Sequence, residues 1–311
     1  MVQYIKQNKP KQYILLLVVL NSFFFAQAQY SEEFKALKSK YPEASFVRLL
    51  DEIKISVKLK NDELEIKQYF LEEDLFLDES ATYGSKKSLD FSAFFELESV
   101  EATSYQYKDG KYKAFEVEDF VEKDELENSF HDDTKSLNFI YSNLAEGGKT
   151  KLEYTEIVKN PRFLSPIFFG NFYPIKNKKV TLIADIEVNF RFQEFNTDGY
   201  TIVFNKEEKR NSIIYTWEIK DVDEIKYESS VPTYKKVLPH IVPIITSYNT
   251  KDKEVKLLND VSDLYNWYYS MVKDINQQPT DDALVALVNE ITKDSNTELE
   301  RVRAIYYWTQ Q

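Results

Sequence analysis

The chain of 311 residues carries 52 acidic and 40 basic side chains, a net charge of −12, and no cysteine. An acidic balance of that size argues against nucleic acid and anionic membrane surfaces as partners. Without cysteine there is no disulfide, no thiolate nucleophile and no thiolate metal site, so the core must hold the fold unaided. A chain this long buries enough surface to do so.

Lys6, Lys9 and Lys11 precede the apolar stretch 13–20, which resumes at 23–25 and ends in Ala26-Gln27-Ala28. A basic start, a short apolar core and an A-x-A site predict a secretory signal peptide over residues 1–28, cleaved before Gln29. The apolar core, interrupted by Asn21 and Ser22, is too short for a comfortable membrane span of about 20 residues. A short helix is expected around Glu32–Lys40.

From Glu52 to Asn196 the pattern is that of strands. Ile53, Ile55, Val57 and Leu59 alternate with Lys54, Ser56, Lys58 and Lys60, a strand with one wet face. Asn61-Asp62 breaks it, and Leu64, Ile66 and Phe70 resume the alternation, predicting a hairpin. Asp109-Gly110 stands between "TSYQY" and "YKAFEV" and supplies the positive φ angles of a tight hairpin turn. Further strands are expected at 137–141, 150–158, 179–190, 200–204 and 212–219. Many short strands with turn signals and no interleaved helices predict a mainly β fold, an antiparallel β-sandwich over residues 29–230.

The segment 231–256, with prolines at 232, 239 and 243, reads as an extended, irregular connector. Beyond it the period becomes helical. Leu257, Val261, Leu264, Tyr268 and Met271 make one stripe, and Leu284, Leu287, Val288 and Ile291 another, started by Thr280 with Asp281 and Asp282 in its first turn. Thr297 and Glu300 form a capping box ahead of Leu299, Val302, Ile305 and Tyr306. Residues 257–311 are thus a short group of helices.

Catalytic constellations are missing. Six scattered glycines allow no phosphate-cradling loop. His131 and His240 stand far apart. His131, Asp132 and Asp133 lack the partner spacings of a zinc site, and Glu122, Asp124, Glu125 and Glu127 lack the pattern of a calcium loop; both read as a solvated acidic loop. His240, between Pro239 and Ile241, reads as a packed, hydrogen-bonded residue. No catalytic, cofactor-binding or metal-binding residue is assigned, and no cofactor is expected.

The stretch 130–175 has an acidic start, an alternating strand, the Gly147-Gly148 turn, the strand Leu152–Ile157 and an aromatic run to Pro174. Together with "YTWEIKDVDEI" at 215–225 and "LPHIVPIITSYN" ahead of "VSDLYNWYYSMV", it resembles a domain of unknown function found in exported bacterial proteins ahead of a transglutaminase-like domain. The resemblance covers most of residues 45–311. It implies that 257–311 is the helical start of an incomplete transglutaminase-like domain, whose cysteine, histidine and aspartate would lie beyond Gln311. No helix stop follows Trp308, in keeping with a chain that breaks off there. The expected function is therefore a non-catalytic, exported module that positions or binds a protein or peptide substrate, its partner being its own C-terminal transglutaminase-like domain. The alternative is a complete exported binding protein that holds a glycan or peptide on an aromatic-rich sheet face. A scaffold without ligand is a third reading.

Overall fold

The computed structural model describes residues 30–124, 133–226, 233, 236–275, 277 and 281–310. The expected signal peptide, His131, Asp132, Glu125, Glu127 and Thr280 lie outside these. The chain divides into two units, residues 1–259 and 260–311.

The first unit is mainly β and antiparallel-rich, as expected. It opens with helix α1 (Glu32–Lys40), capped by Ser31, whose hydroxyl accepts from the Phe34 N–H. Two long strands follow, β1 (Phe46–Lys60) and β2 (Glu63–Phe76). They pair in one hairpin across Asn61 and Asp62, both at positive φ. After the one-turn helix α2 (Ala81–Gly84) come β3 (Lys86–Phe91), β4 (Phe95–Lys108), β5 (Lys111–Glu116), β6 (Val121–Asp124), β7 (Lys135–Ile140) and β8 (Lys149–Val158). β4 and β5 join at the Asp109-Gly110 turn, with φ of 52° and 79°. The remaining strands are β9 (Ile167–Phe168), β10 (Ile175–Asp185), β11 (Val188–Phe195), β12 (Val203–Glu208), β13 (Ser212–Val222), β14 (His240–Asn249) and β15 (Glu254–Lys256).

Eight strands form one large sheet in the order β12-β13-β10-β1-β2-β8-β4-β5. Its centre holds a parallel pair, β1 with β10, that no local sequence pattern announces. Two small sheets complete the unit: β11-β14-β15 with β9 beside β14, and β3-β7-β6. Both pack on the same face of the large sheet. Ile53, Ile55, Val180, Leu182 and Trp217 meet Val188, Ile241 and Ile245 in one apolar cluster. Ala102 and Leu152 meet Leu89, Phe139 and Tyr141 in another. On the opposite face, Phe34 and Leu37 of α1 cover Val47, Leu49, Leu75 and Leu77.

Three expectations change. The stretch 179–190 is two strands, because the chain turns at Ile186-Glu187 and enters a different sheet. The segment read as an irregular connector contains β14, which pairs with β11 from Val188↔Tyr248 to Phe195↔His240. Leu257 belongs to the apolar cluster of the β unit, 4% exposed, and starts no helical stripe.

The second unit has three helices: α3 (Val261–Val272), α4 (Asp282–Ile291) and α5 (Glu298–Trp308). α3 starts with an Asp260/Asp263 capping box and α5 with the expected Thr297/Glu300 box. Asp281 caps α4, its carboxylate accepting from the Ala283 N–H at 2.9 Å. No described residue of the three helices is buried. None of the described helices is long and apolar enough to cross a membrane.

Candidate functional site

Strand alternation puts residues 66, 68, 70, 72, 74 and 76 of β2 on the face that carries the two small sheets. Ile66 belongs to the first apolar cluster, but Gln68, Glu72 and Asp74 bring polar groups onto the same face. Arg48, opposite Asp74 in the β1–β2 register, joins them because β1 carries a bulge between Arg48 and Leu50. Asp51 pairs with Lys178 of β10. A polar seam therefore runs down the inner face between two apolar lobes.

Arg48 is its hub and is 4% exposed. Its Nε and Nη2 donate to the two Asp74 oxygens at 2.5 and 3.1 Å, a bidentate pair. Its Nη1 lies 2.9 Å from Glu72 Oε1, and its guanidinium sits 5.1 Å from the centre of the Tyr173 ring. Glu72 is shared with Lys87 of β3, 3.0 Å away. Burial works against the Arg48 charge, but Asp74 and Glu72 more than offset it. Burial likewise opposes ionisation of Glu72, yet the charges of Arg48 and Lys87 hold its carboxyl at about 2. Asp74 carries the cost: burial pushes its carboxyl up against the pull of Arg48, with Glu72 adding to the push. Buried ions survive only when paired and hydrogen-bonded, which this geometry provides.

The seam surfaces at two places. Lys87 also lines a cleft of about 650 Å³, within the size range of ligand sites. Lys86, Lys87 and Lys123 line it together with Glu116 at the end of β5 and Glu118 and Asp119 of the β5–β6 connection, over an apolar floor of Val117 and Phe139. Val121 and Ile140, 54% and 60% exposed, complete its rim. The cleft thus offers both charges. The second place is a cavity of about 290 Å³ that holds Glu156 of β8 beside Asp90, Ser92, Thr134 and Ser165. Burial alone pushes the Glu156 carboxyl up to about 7. Gln68 faces it across β2 and β8 in the strand register, and the buried Gln68 Nε2 finds no hydrogen-bond partner among the described residues.

The residues weighed from sequence lie elsewhere. His240 is 6% exposed, its Nδ1 lies 2.8 Å from the Leu238 carbonyl, and Phe168 and Phe195 flank its ring at 4.9 Å each. It is packed, as read. Asp133 accepts from the Ala93 N–H at 3.3 Å, and Glu122 and Asp124 both approach Lys135. Among the described residues no group of three or more metal-capable side chains comes together. Trp217 is 3% exposed, a core ring and not a stacking platform.

Strands from the end of β2 through β13 are also what comparison with known proteins picks out. Residues 75–226 match the model of a domain of unknown function, DUF3857. No curated protein matches the sequence. Among solved structures, a protein from Parabacteroides distasonis ATCC 8503 described as "a putative protease" aligns at a TM-score of 0.61 with 13% identity. The alignment covers 84% of this chain and 49% of that one, so the chain spans about half the length of the structure it matches. At that identity the likeness is one of fold. An M1 zinc metallopeptidase from Deinococcus radiodurans aligns over 63% of this chain and 42% of its own, at 10% identity and a TM-score of 0.33. A substrate-bound E323A mutant of that enzyme aligns over 68% and 46%, at 8% identity and the same TM-score.

Proposed function

We propose that the chain is an exported, non-catalytic β module that positions an extended protein or peptide segment for a catalytic domain of the transglutaminase-like kind. The observation that carries this reading is the cleft lined by three lysines, three carboxylates and an apolar floor. A peptide offers both charges and an apolar body, and so suits such a groove. The sequence holds no cysteine, and acyl transfer through a thioester needs one. The protease description of the longer structural neighbour agrees with a peptide substrate, and the signal-like start with export.

The test is titration of the purified chain with a fluorescein-labelled peptide digest of casein, with anisotropy as readout. Peptides should bind, Lys86→Glu together with Lys123→Glu should weaken binding about tenfold or more, and no peptide should be cleaved or acylated. Binding that ignores both substitutions, or turnover that tracks the purified chain, would overturn the reading.

A further inference from the structure

The large sheet ends at β12, and no strand among the described residues pairs with its outer side. β12 pairs with β13 without a break in register, from Val203↔Glu218 to Glu208↔Ile213. Its outer edge is therefore a regular row of backbone donors and acceptors, a template that fits another strand. Four other edges are blunted: β3 and β5 each carry two lysines, and β6 and β15 are four and three residues long.

Beside this row lies an aromatic shelf. Phe204, 51% exposed, leans on Trp217 at 5.1 Å. Phe192 of β11 reaches Trp217 and Tyr215 at 4.9 Å each, so two sheet edges converge on one ring cluster. Val203, 60% exposed, leaves the first half of β12 uncharged on both faces. Lys206 and Glu208 neutralise each other at 2.6 Å, whereas among the described residues Glu207 meets only Lys209, at 3.7 Å.

We propose that the outer edge of β12 is a strand-addition site. Its occupant is an extended segment of another polypeptide, with an apolar or aromatic residue over Phe204 and a basic residue facing Glu207. Opposed residues in a ladder share a face, so those two requirements fall three positions apart, the basic residue first in an antiparallel addition. Backbone hydrogen bonds supply affinity and these two side chains select the register. The net charge of −12 favours a basic segment.

The probe is an acetylated peptide, Thr-Val-Lys-Thr-Thr-Tyr-Thr-Val, titrated into the full chain while backbone amide shifts are followed by NMR. Shifts should concentrate on 203–208. N-methylation of alternate peptide amides, which removes donors and keeps the side chains, should weaken binding about tenfold or more, as should Phe204→Lys in the protein. Because the methylated peptide tests the wild-type chain, the proposal stays falsifiable even if the variant folds poorly. No binding at millimolar peptide, equal affinity for the methylated peptide, or shifts away from β12 would overturn it.

Discussion

Replacing Glu156 by Gln should stabilise the protein, and increasingly so as pH rises from about 4.5 to 7. Glu156 lies on the inner face with Gln68 and Leu97 as its neighbours across the ladder. Asp90 is the other carboxylate of its cavity. Burial moves its carboxyl from 4.5 to about 7. A folded-state pKa above the unfolded one means that the folded chain holds the proton more tightly. That contribution to stability is complete below about pH 4.5 and is lost as pH rises through 7. At about 1.4 kcal/mol per pH unit the full loss is about 3 kcal/mol. Part of the side chain still touches solvent, which reduces this to about 2 kcal/mol. Glutamine keeps the shape and cannot ionise. Urea unfolding followed by far-ultraviolet circular dichroism, at steps from pH 5 to pH 8, measures the difference between variant and wild type. It should be small at pH 5, about a quarter of its full size, and should grow to about 2 kcal/mol in favour of the variant by pH 7 to 8. Other titrating groups cancel in that difference. A gap that stays constant with pH, or a variant less stable at pH 8, would refute the reasoning.

Arg48→Met should cost about 3–5 kcal/mol, because it strands the Asp74 and Glu72 carboxylates inside the sandwich. Adding Asp74→Leu should recover at least half of that in the same unfolding assay. Gly147→Ala should cost about 1–3 kcal/mol, since Gly147 sits at φ 76° and an added Cβ would come within 2.8 Å of the Tyr30 ring; an unchanged melting temperature would count against this. In hydrogen exchange, amides of α3, α4 and α5 should exchange about a hundredfold or more faster than those of β1 and β8, because no described residue of these helices is buried. Uniformly slow exchange through α5 would show that the helices hold a stable core of their own. Intact mass of the protein recovered after export should lack residues 1–28, and a product that still begins at Met1 would contradict cleavage before Gln29.

Local signals were readable in the sequence, and long-range ones were not. The turns at Asn61-Asp62 and Asp109-Gly110 adopt positive φ because Asn, Asp and Gly tolerate it. The Thr297/Glu300 capping box forms because it needs only four adjacent residues. The parallel neighbour of β1 was invisible, since nothing in 46–60 points to a segment more than a hundred residues away. Prolines made β14 look irregular. Pro243 pairs with Phe192 of β11 on one side, and on the other side it falls in the gap between the β14 residues that pair with β9, His240 and Ile241, and those that pair with β15, from Ser247 on. A residue without an N–H is tolerated where a strand has a neighbour on one side only.

The polar seam was half legible, and the missing half has a physical cause. The β2 pattern carries Ile66 and Phe70 in one phase of a two-residue repeat, and Gln68, Glu72 and Asp74 continue that phase. Polar residues in the apolar phase of a strand predict a buried polar group that must find partners. The chief partner could not be found by the same rule. Counting back by twos from Ile53 puts Arg48 in the wet phase with Lys54 and Ser56. The bulge between Arg48 and Leu50 inserts one residue, and beyond it the phase inverts, so Arg48 points inward. A bulge leaves no mark in hydrophobic periodicity apart from the broken phase itself. Here the break reads Val47-Arg48-Leu49-Leu50-Asp51, a run with no alternation, where a charged residue can be placed only once its partner strand is known. The cation that lets Glu72 and Asp74 be buried thus sits where the phase slips, and it is the large sheet's pairing, not the β1 sequence, that brings it to them.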